Sequence, residues 1–333
     1  AGHLPYNYKK KCWCTTNEIK KQIMPIESDK LCLLVDSCTV MGTITKAASK
    51  VTGLPIGLPV VGSGTDKGCE TLGVGCMNAC TASVSLGTQA TVETTTKKYL
   101  ELVPFYPSFA AVDPQAYNPE VTLYSGFWMI EWFIDFFEKA EAEEYRKQGK
   151  NILDFLNVQL EKIPVGSEGL VLQPYWGQET FKEEALGSIV GFTKDHTKYH
   201  VYRAVIEGIG YALKEGLERI EKKTKCKVNE IALSGGGSHS DQICQIMADI
   251  FGLKTYRVQT YETTGLGGAL AIFTALGVYD NLQNAYKQMV HQSKQFEPDQ
   301  DNYKIYNNIY SQVYKKAYKR YKPLYKKIRK LRK

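Results

Sequence analysis

Long apolar runs are missing from this sequence. No window of its 333 residues approaches the roughly 18–20 uninterrupted apolar residues of a membrane-spanning helix. The opening Ala1-Gly2-His3-Leu4-Pro5 carries no apolar signal core and no initiator Met, so a processed chain or a fragment is expected. A disulfide framework is missing as well. The nine cysteines are an odd number at irregular spacing, and Cys69, Cys76 and Cys80 have no nearby His to complete a metal set. Reduced, mostly buried thiols are expected, and with them a cytoplasmic location. What remains is an ordinary globular composition, 43% hydrophobic and 23% charged, at a length suited to about two domains.

The net charge of +7 is unevenly spread. A dense basic run occupies the tail from Lys315 to Lys333 and leaves the body close to neutral, so a general nucleic-acid role is not implied. Within the tail, Tyr303, Tyr306, Tyr310, Tyr314, Tyr318, Tyr321 and Tyr325 recur every three or four residues. That spacing predicts one face of a helix, which Pro323 is placed to kink or end. Tyrosines packed on the body are expected. A basic aromatic surface for RNA or anionic membrane is the alternative.

Apolar patterning along the body alternates strand and helix, which argues an α/β fold. Residues 43–52 read as a short helix. Residues 58–61 read as a buried strand leading into Gly62-Ser63-Gly64-Thr65-Asp66, and residues 82–86 as a strand leading into Gly87-Thr88. Residues 122–139 are expected to be helical, with Phe127, Trp128, Trp132, Phe133 and Phe136 in the core. Residues 198–222 form the strongest predicted helix, with Arg203, Lys214, Glu218 and Arg219 largely off its apolar stripe. A strand at 231–234, a glycine run, a helix over 241–251 and a small-residue helix over 265–276 follow.

Three turns carry the chemistry. Ser234-Gly235-Gly236-Gly237-Ser238-His239-Ser240-Asp241 joins a strand to a helix, where glycines admit a ligand to the backbone and the helix start offers free N–H groups. It matches neither the P-loop nor the GxGxxG pattern, and a tight turn with no ligand reads equally well. Ser85-Leu86-Gly87-Thr88 can give a phosphate a backbone N–H and a hydroxyl, although such a pair is more often just a turn. In Gly64-Thr65-Asp66-Lys67-Gly68, a carboxylate at a strand end can accept a proton from a substrate hydroxyl; the bland reading is an aspartate capping the next turn.

Taken together and in this order, these segments resemble the FGGY carbohydrate kinases, with the match running over roughly residues 50–285. Gly57-Leu58-Pro59-Val60-Val61 with Gly64-Thr65-Asp66-Lys67-Gly68 is similar to the family's catalytic-aspartate turn, and Ser85-Leu86-Gly87-Thr88 to its second phosphate motif. Gly187-Ser188-Ile189-Val190-Gly191 with Ala204-Val205-Ile206-Glu207 resembles its C-terminal signature. Leu233-Ser234-Gly235-Gly236-Gly237 resembles its adenosine motif, and Gly265-Leu266-Gly267-Gly268-Ala269 the helix that follows. The run from Leu54 to Gly75 is most similar to xylulokinase-type members.

The resemblance implies an actin-like ATPase (ribonuclease H-like) C-terminal domain with the trailing part of a first such domain. Residues 1–78 would be the end of the sugar-binding domain, 79–300 the ATP-binding domain, and 301–333 a basic Tyr/Lys-rich helix. It implies ATP-dependent phosphorylation of a sugar or polyol hydroxyl, with a ketopentose such as xylulose foremost. Asp66 would be the general base and, with Lys67, touch substrate. Gly87 and Thr88 would hold the terminal phosphates, and Gly235, Gly236, Gly237 and Ser240 the adenosine. Mg²⁺ would bridge the phosphates, held partly through water, with no metal-binding side chain assigned.

Three positions depart from the family pattern: Lys67 stands where Gln is common, Ser240 where Asn is common, and Phe192 where a smaller aliphatic residue is usual. The family's opening Asp-x-Gly-Thr turn is absent; Asp36-Ser37-Cys38-Thr39 only echoes it. Catalysis is therefore expected to need an upstream segment, cut from this chain or supplied by a second polypeptide. The expected partners are a small sugar substrate and a homodimer mate or separate front-half segment, with neither nucleic acid nor membrane. The alternative is a catalytically incomplete nucleotide-binding subunit or sensor.

Overall fold

Six buried residues in a row, Thr81–Leu86, form the strand around which the larger part of the molecule is built. A strand buried on both faces needs partners on both edges, and in the computed structural model it has them. Glu230–Ser234 runs parallel to it on one side, and Ala90–Glu93 antiparallel on the other. The full sheet runs Glu120–Leu123, Ala90–Glu93, Thr81–Leu86, Glu230–Ser234, Lys254–Val258, Gln292–Phe296. Lys254–Val258 is parallel to Glu230–Ser234, and Gln292–Phe296 closes that edge antiparallel. The structure describes residues 5–177 and 179–332.

Contacts divide the chain into two units, differently from the linear segments 1–78, 79–300 and 301–333. One unit comprises residues 1–79, 94–120 and 262–291; the other comprises 80–93, 121–261 and 292–333 and contains the sheet.

In the sheet-bearing unit the longest helix is Lys198–Thr224, started by a reciprocal cap between Thr197 and His200 and ended at Lys225 in the left-handed region. Val201, Val205, Ile209 and Leu213 are buried along it. Two of the charged residues expected off this stripe, Arg203 and Lys214, are buried as well. Each has its donors met. Arg203 donates to the Leu160 and Ile163 carbonyls and pairs with Glu207 at 2.7 Å, while Lys214 donates to the Ile250 carbonyl at 2.7 Å. Buried charge is tolerable on those terms.

The tail explains why the charge is inside. Gln300–Ile309, a π turn at Tyr310–Tyr314 and Lys315–Leu331 form one continuous helical rod. Tyr306, Tyr310, Tyr314 and Tyr325 are buried. Tyr306 donates to Glu207 at 2.8 Å and accepts from Arg203 at 2.7 Å. The Tyr175 and Tyr314 hydroxyls are 2.8 Å apart. Four of the seven tyrosines of the stripe are thus packed in the core, as expected, while Tyr303, Tyr318 and Tyr321 are half-buried. Pro323 does not end the helix; the irregularity comes earlier, at the π turn, which reshuffles the 3.6-residue phase locally.

Residues 122–139 are not one helix. Glu120–Leu123 is an edge strand, and the helix begins at Trp128 and runs to Phe137. Phe133 is fully buried and lies 5.1 Å from the Tyr202 ring, but Phe136 is 72% exposed. The helix is packed on one side only, so the aromatic stripe is wider than its core.

The other unit is built on two helices, Asp66–Gly73 and Thr263–Ala275. They meet through glycines: a Cβ on Gly73 would overlap the Thr263 carbonyl, and one on Gly267 would overlap the Cys69 carbonyl. Thr39–Thr43 and Pro59–Gly62 form an antiparallel hairpin, with the helix Lys46–Thr52 between them. The strand expected to be buried at 58–61 is in fact largely exposed: it pairs only within a two-stranded hairpin, and Leu58 stays 41% and Val60 37% exposed. Val51 is 87% exposed and Ile56 63% exposed on the same segment.

Candidate functional site

Parallel neighbours end on the same side of a sheet, and the turns that follow them share the crevice beyond. Thr81–Leu86 and Glu230–Ser234 end in register, Ser234 opposite Ser85. The turns Gly87-Thr88 and Gly235-Gly236-Gly237, almost 150 residues apart in sequence, are therefore adjacent. A Cβ on Gly235 would stand 2.8 Å from the Gly87 amide nitrogen and 2.8 Å from the Leu86 carbonyl carbon. Gly235 has φ 76° and ψ 171°, a conformation essentially reserved for glycine. Gly236 faces open space, with nothing within 4 Å of where a Cβ would be.

These turns floor a cleft of about 640 Å³ inside the sheet-bearing unit. Its walls include Phe127, Trp128, Glu131, Asp154, Asn157 and His239. Phe127 donates its N–H to the Gly87 carbonyl at 2.9 Å, so the start of the Trp128–Phe137 helix backs the phosphate-type turn. Thr88 is exposed on the cleft rim. Ser240 also lines the cleft, but its hydroxyl already accepts from Ile243 N at 3.3 Å as the cap of Asp241–Phe251. Its side chain serves the helix first. Phe127 and Trp128 were legible only as part of an aromatic stripe and His239 only as a member of the glycine turn; Glu131, Asp154 and Asn157 carry no short motif.

Asp66 belongs to the other unit, as the first residue of Asp66–Gly73. Thr65 caps that helix by accepting from Gly68 N at 3.0 Å, which leaves Asp66 exposed rather than acting as the cap. One carboxylate oxygen accepts from the Lys67 amide at 2.9 Å. The Lys67 ammonium lies 2.6 Å from Glu70, an ion pair that draws it back along the helix. Within the same unit a cleft of about 560 Å³ opens beside Ser63-Gly64-Thr65 and is lined by Tyr8, Lys11 and Asp36. The small-residue helix that follows the glycine turn in sequence sits in this unit, against the Asp66 helix.

The described residues contain no group of three or more His, Cys, Asp or Glu side chains able to hold a metal ion. None of the nine cysteines is placed in a disulfide. No helix among the described residues is long and apolar enough to cross a membrane.

Residues 82–276 match the C-terminal domain of the FGGY family of carbohydrate kinases. The uncharacterized sugar kinase YgcE of Escherichia coli (strain K12) is 28% identical over 313 residues, covering 92% of this chain and 62% of that protein. The xylulose kinase of Bacillus subtilis (strain 168) is 27% identical over 316 residues, covering 93% and 60% respectively. The chain thus spans about three fifths of the length of these curated relatives. Among solved structures, a gluconate kinase from Lactobacillus acidophilus superposes with a TM-score of 0.81 at 22% identity, over 97% of this chain and 63% of that one. A ligand-bound xylulose kinase from the same organism gives 0.77 at 23%, over 98% and 61%. These likenesses bear out the actin-like, ribonuclease H-like ATPase fold.

Proposed function

Since the chain belongs to the FGGY family of carbohydrate kinases, we propose that it carries the ATP site and the catalytic base of an enzyme that phosphorylates a sugar or polyol hydroxyl, a ketopentose such as xylulose foremost. The observation that carries this reading is the meeting of Gly87-Thr88 with Gly235-Gly236-Gly237 at the ends of two adjacent parallel strands, flooring a cleft of about 640 Å³. Glycines lacking Cβ atoms let a polyphosphate approach the backbone, and the size suits a nucleotide. Gly87 and Thr88 would receive the terminal phosphates, and Gly235, Gly236, Gly237 and the backbone of Ser240 the adenosine.

Asp66 would act as general base. Its carboxylate accepts the proton of the substrate hydroxyl as that oxygen bonds to the γ-phosphorus and the bond to the β-phosphate oxygen breaks, leaving ADP and a sugar phosphate. Lys67 would contact substrate with the ammonium donors that its pair with Glu70 leaves over. Mg²⁺ would neutralise phosphate charge when bound; without a dedicated cluster of protein ligands among the described residues, the phosphates and water would supply its coordination.

Residues 1–78 would be the trailing part of a sugar-binding domain. The uncovered apolar side chains of the hairpin and its helix, Val51 and Ile56 among them, support a requirement for a complementary front segment. The same observation keeps alive the second reading, a nucleotide-binding subunit or sensor that does not turn over by itself.

The test is ATP binding by calorimetry, and phosphotransfer to xylulose with and without a front segment from a relative such as the B. subtilis enzyme. The expected result is ATP binding by this chain alone and turnover only in the combination. Asp66→Asn should abolish turnover and leave ATP affinity unchanged. Ordinary turnover by the chain alone would remove the front-segment requirement, and retention of turnover by Asp66→Asn would remove Asp66 as the base.

A further inference from the structure

The glycine turn at the cleft floor is held in place by a residue on the neighbouring strand that carries no nucleotide motif. Arg257 lies on Lys254–Val258, next to Glu230–Ser234, and is 8% exposed. One of its terminal nitrogens, Nη1, donates to the Ser238 carbonyl at 2.7 Å and to the His239 carbonyl at 3.3 Å. The other, Nη2, pairs with Asp241, the first residue of the following helix, and Lys294 pairs with the same carboxylate from the edge strand. The guanidinium therefore ties the last two residues of the turn Gly236–His239 to the start of the helix Asp241–Phe251.

Further contacts finish the mount. Cys244 offers its thiol to the same Ser238 carbonyl at 3.3 Å. The His239 ring, which lines the cleft, stacks on Tyr261 with centroids 3.7 Å apart and planes 24° apart. The Arg257 guanidinium in turn lies 5.8 Å from the Tyr261 ring and 5.4 Å from the Phe296 ring. With the Ser238 carbonyl drawn toward Arg257, the trans peptide turns the His239 N–H the opposite way. We infer that Arg257 is a positioning residue for nucleotide binding: it holds the backbone of the glycine turn while Tyr261 orients the His239 side chain at the cleft wall.

The inference rests on the nucleotide reading of this cleft. A fixed turn meets its ligand without ordering cost, so the loss of Arg257 is felt as affinity. Hydrogen bonds from a charged donor correspond to about a 10- to 100-fold change in a binding constant. Lysine can reach one carbonyl but lacks the planar fork that joins two carbonyls to Asp241, so it should restore only part of that.

The experiment is calorimetric titration of the full chain with ATP, at a temperature well below unfolding, for wild type, Arg257→Gln, Arg257→Lys and Tyr261→Leu. The expected order of affinity is wild type, then Arg257→Lys, then Arg257→Gln, the last weakened about 10- to 100-fold. Tyr261→Leu should weaken ATP binding while leaving the melting temperature nearly unchanged, since Tyr261 is 49% exposed. Failure of wild type to bind ATP would overturn the nucleotide reading itself. Binding by wild type with folded Arg257 variants of equal affinity would overturn the positioning role alone, as would a lowered melting temperature with no change in affinity. Should Arg257→Gln not fold, Arg257→Lys and Tyr261→Leu decide the matter by the same criterion.

Discussion

Replacing Gly235 or its neighbour Gly236 by alanine adds the same methyl group at adjacent positions and should give opposite phenotypes. At Gly235 the methyl meets the Gly87 nitrogen and the Leu86 carbonyl carbon at 2.8 Å, and the backbone at φ 76°, ψ 171° disfavours any Cβ. Such a conformation costs a non-glycine residue about 1–3 kcal/mol, and overpacking a close contact adds about 1–3 kcal/mol. A loss of about 3–4 kcal/mol follows, or roughly 10 °C in melting temperature at about 2–4 °C per kcal/mol for a domain of this size. At Gly236 nothing lies within 4 Å and φ is outside the left-handed region, so stability should change by no more than about 0.5 kcal/mol. Its methyl would instead stand in the cleft, where close backbone approach is needed, and ATP affinity should fall about tenfold, a change of about 1.4 kcal/mol. Differential scanning fluorimetry and calorimetric titration with ATP measure the two quantities. An unchanged melting temperature for Gly235→Ala would refute the claim that the two turns are pressed together. Wild-type ATP affinity for Gly236→Ala would refute the claim that the nucleotide lies against this turn.

Other expectations follow from the same structure. Glu179 is buried, and burial pushes its carboxyl up to about 7, against the opposing pull of the Ser125 and Tyr124 amides and of Lys182. A carboxyl that holds its proton more tightly when folded lowers stability as pH rises from 4.5 to about 7, by about 3 kcal/mol at about 1.4 kcal/mol per pH unit, with no further loss above. Glu179→Gln should therefore gain on wild type across that window, by urea unfolding at pH 5, 6, 7 and 8; a gap independent of pH would contradict the assignment. Gly267→Ala should force the Asp66 helix off its partner, since its methyl would overlap the Cys69 carbonyl. Turnover of the assembled enzyme should drop about 100-fold, with ATP affinity unaltered, because displacement of a catalytic group by about 1 Å costs about that much. Tyr314→Ala, at a fully buried position, should cost about 3–5 kcal/mol by denaturant titration, and Tyr314→Phe, losing only the bond to Tyr175, about 1 kcal/mol.

The three turns were legible because glycine and short polar residues at strand ends are local requirements, written where they act. The helix over Lys198–Thr224 was legible for the same reason, since a 3.6-residue apolar period survives without knowledge of what packs on it. The same local rule misjudged Arg203 and Lys214. Nothing within the helix says that Leu160, Ile163, Ile250 and the tail tyrosines will satisfy their donors. It misjudged residues 58–61 in the other direction: an apolar strand reads as buried, but burial needs a layer over the whole face, and a two-stranded hairpin leaves Leu58 and Val60 exposed.

The sequence by itself determined the inventory: two glycine turns, an aspartate turn, the tyrosine stripe and their order along the chain. Only the tertiary structure decided who meets whom. Register between two parallel strands set Gly235 against Gly87. Helix packing through Gly73 and Gly267 set the small-residue helix against the Asp66 helix. The contacts of Arg257 with the Ser238 and Asp241 region came from strand neighbours in the sheet and not from a motif. The physical reason is that backbone conformation depends on neighbours in sequence, whereas contact, burial and charge satisfaction depend on neighbours in space.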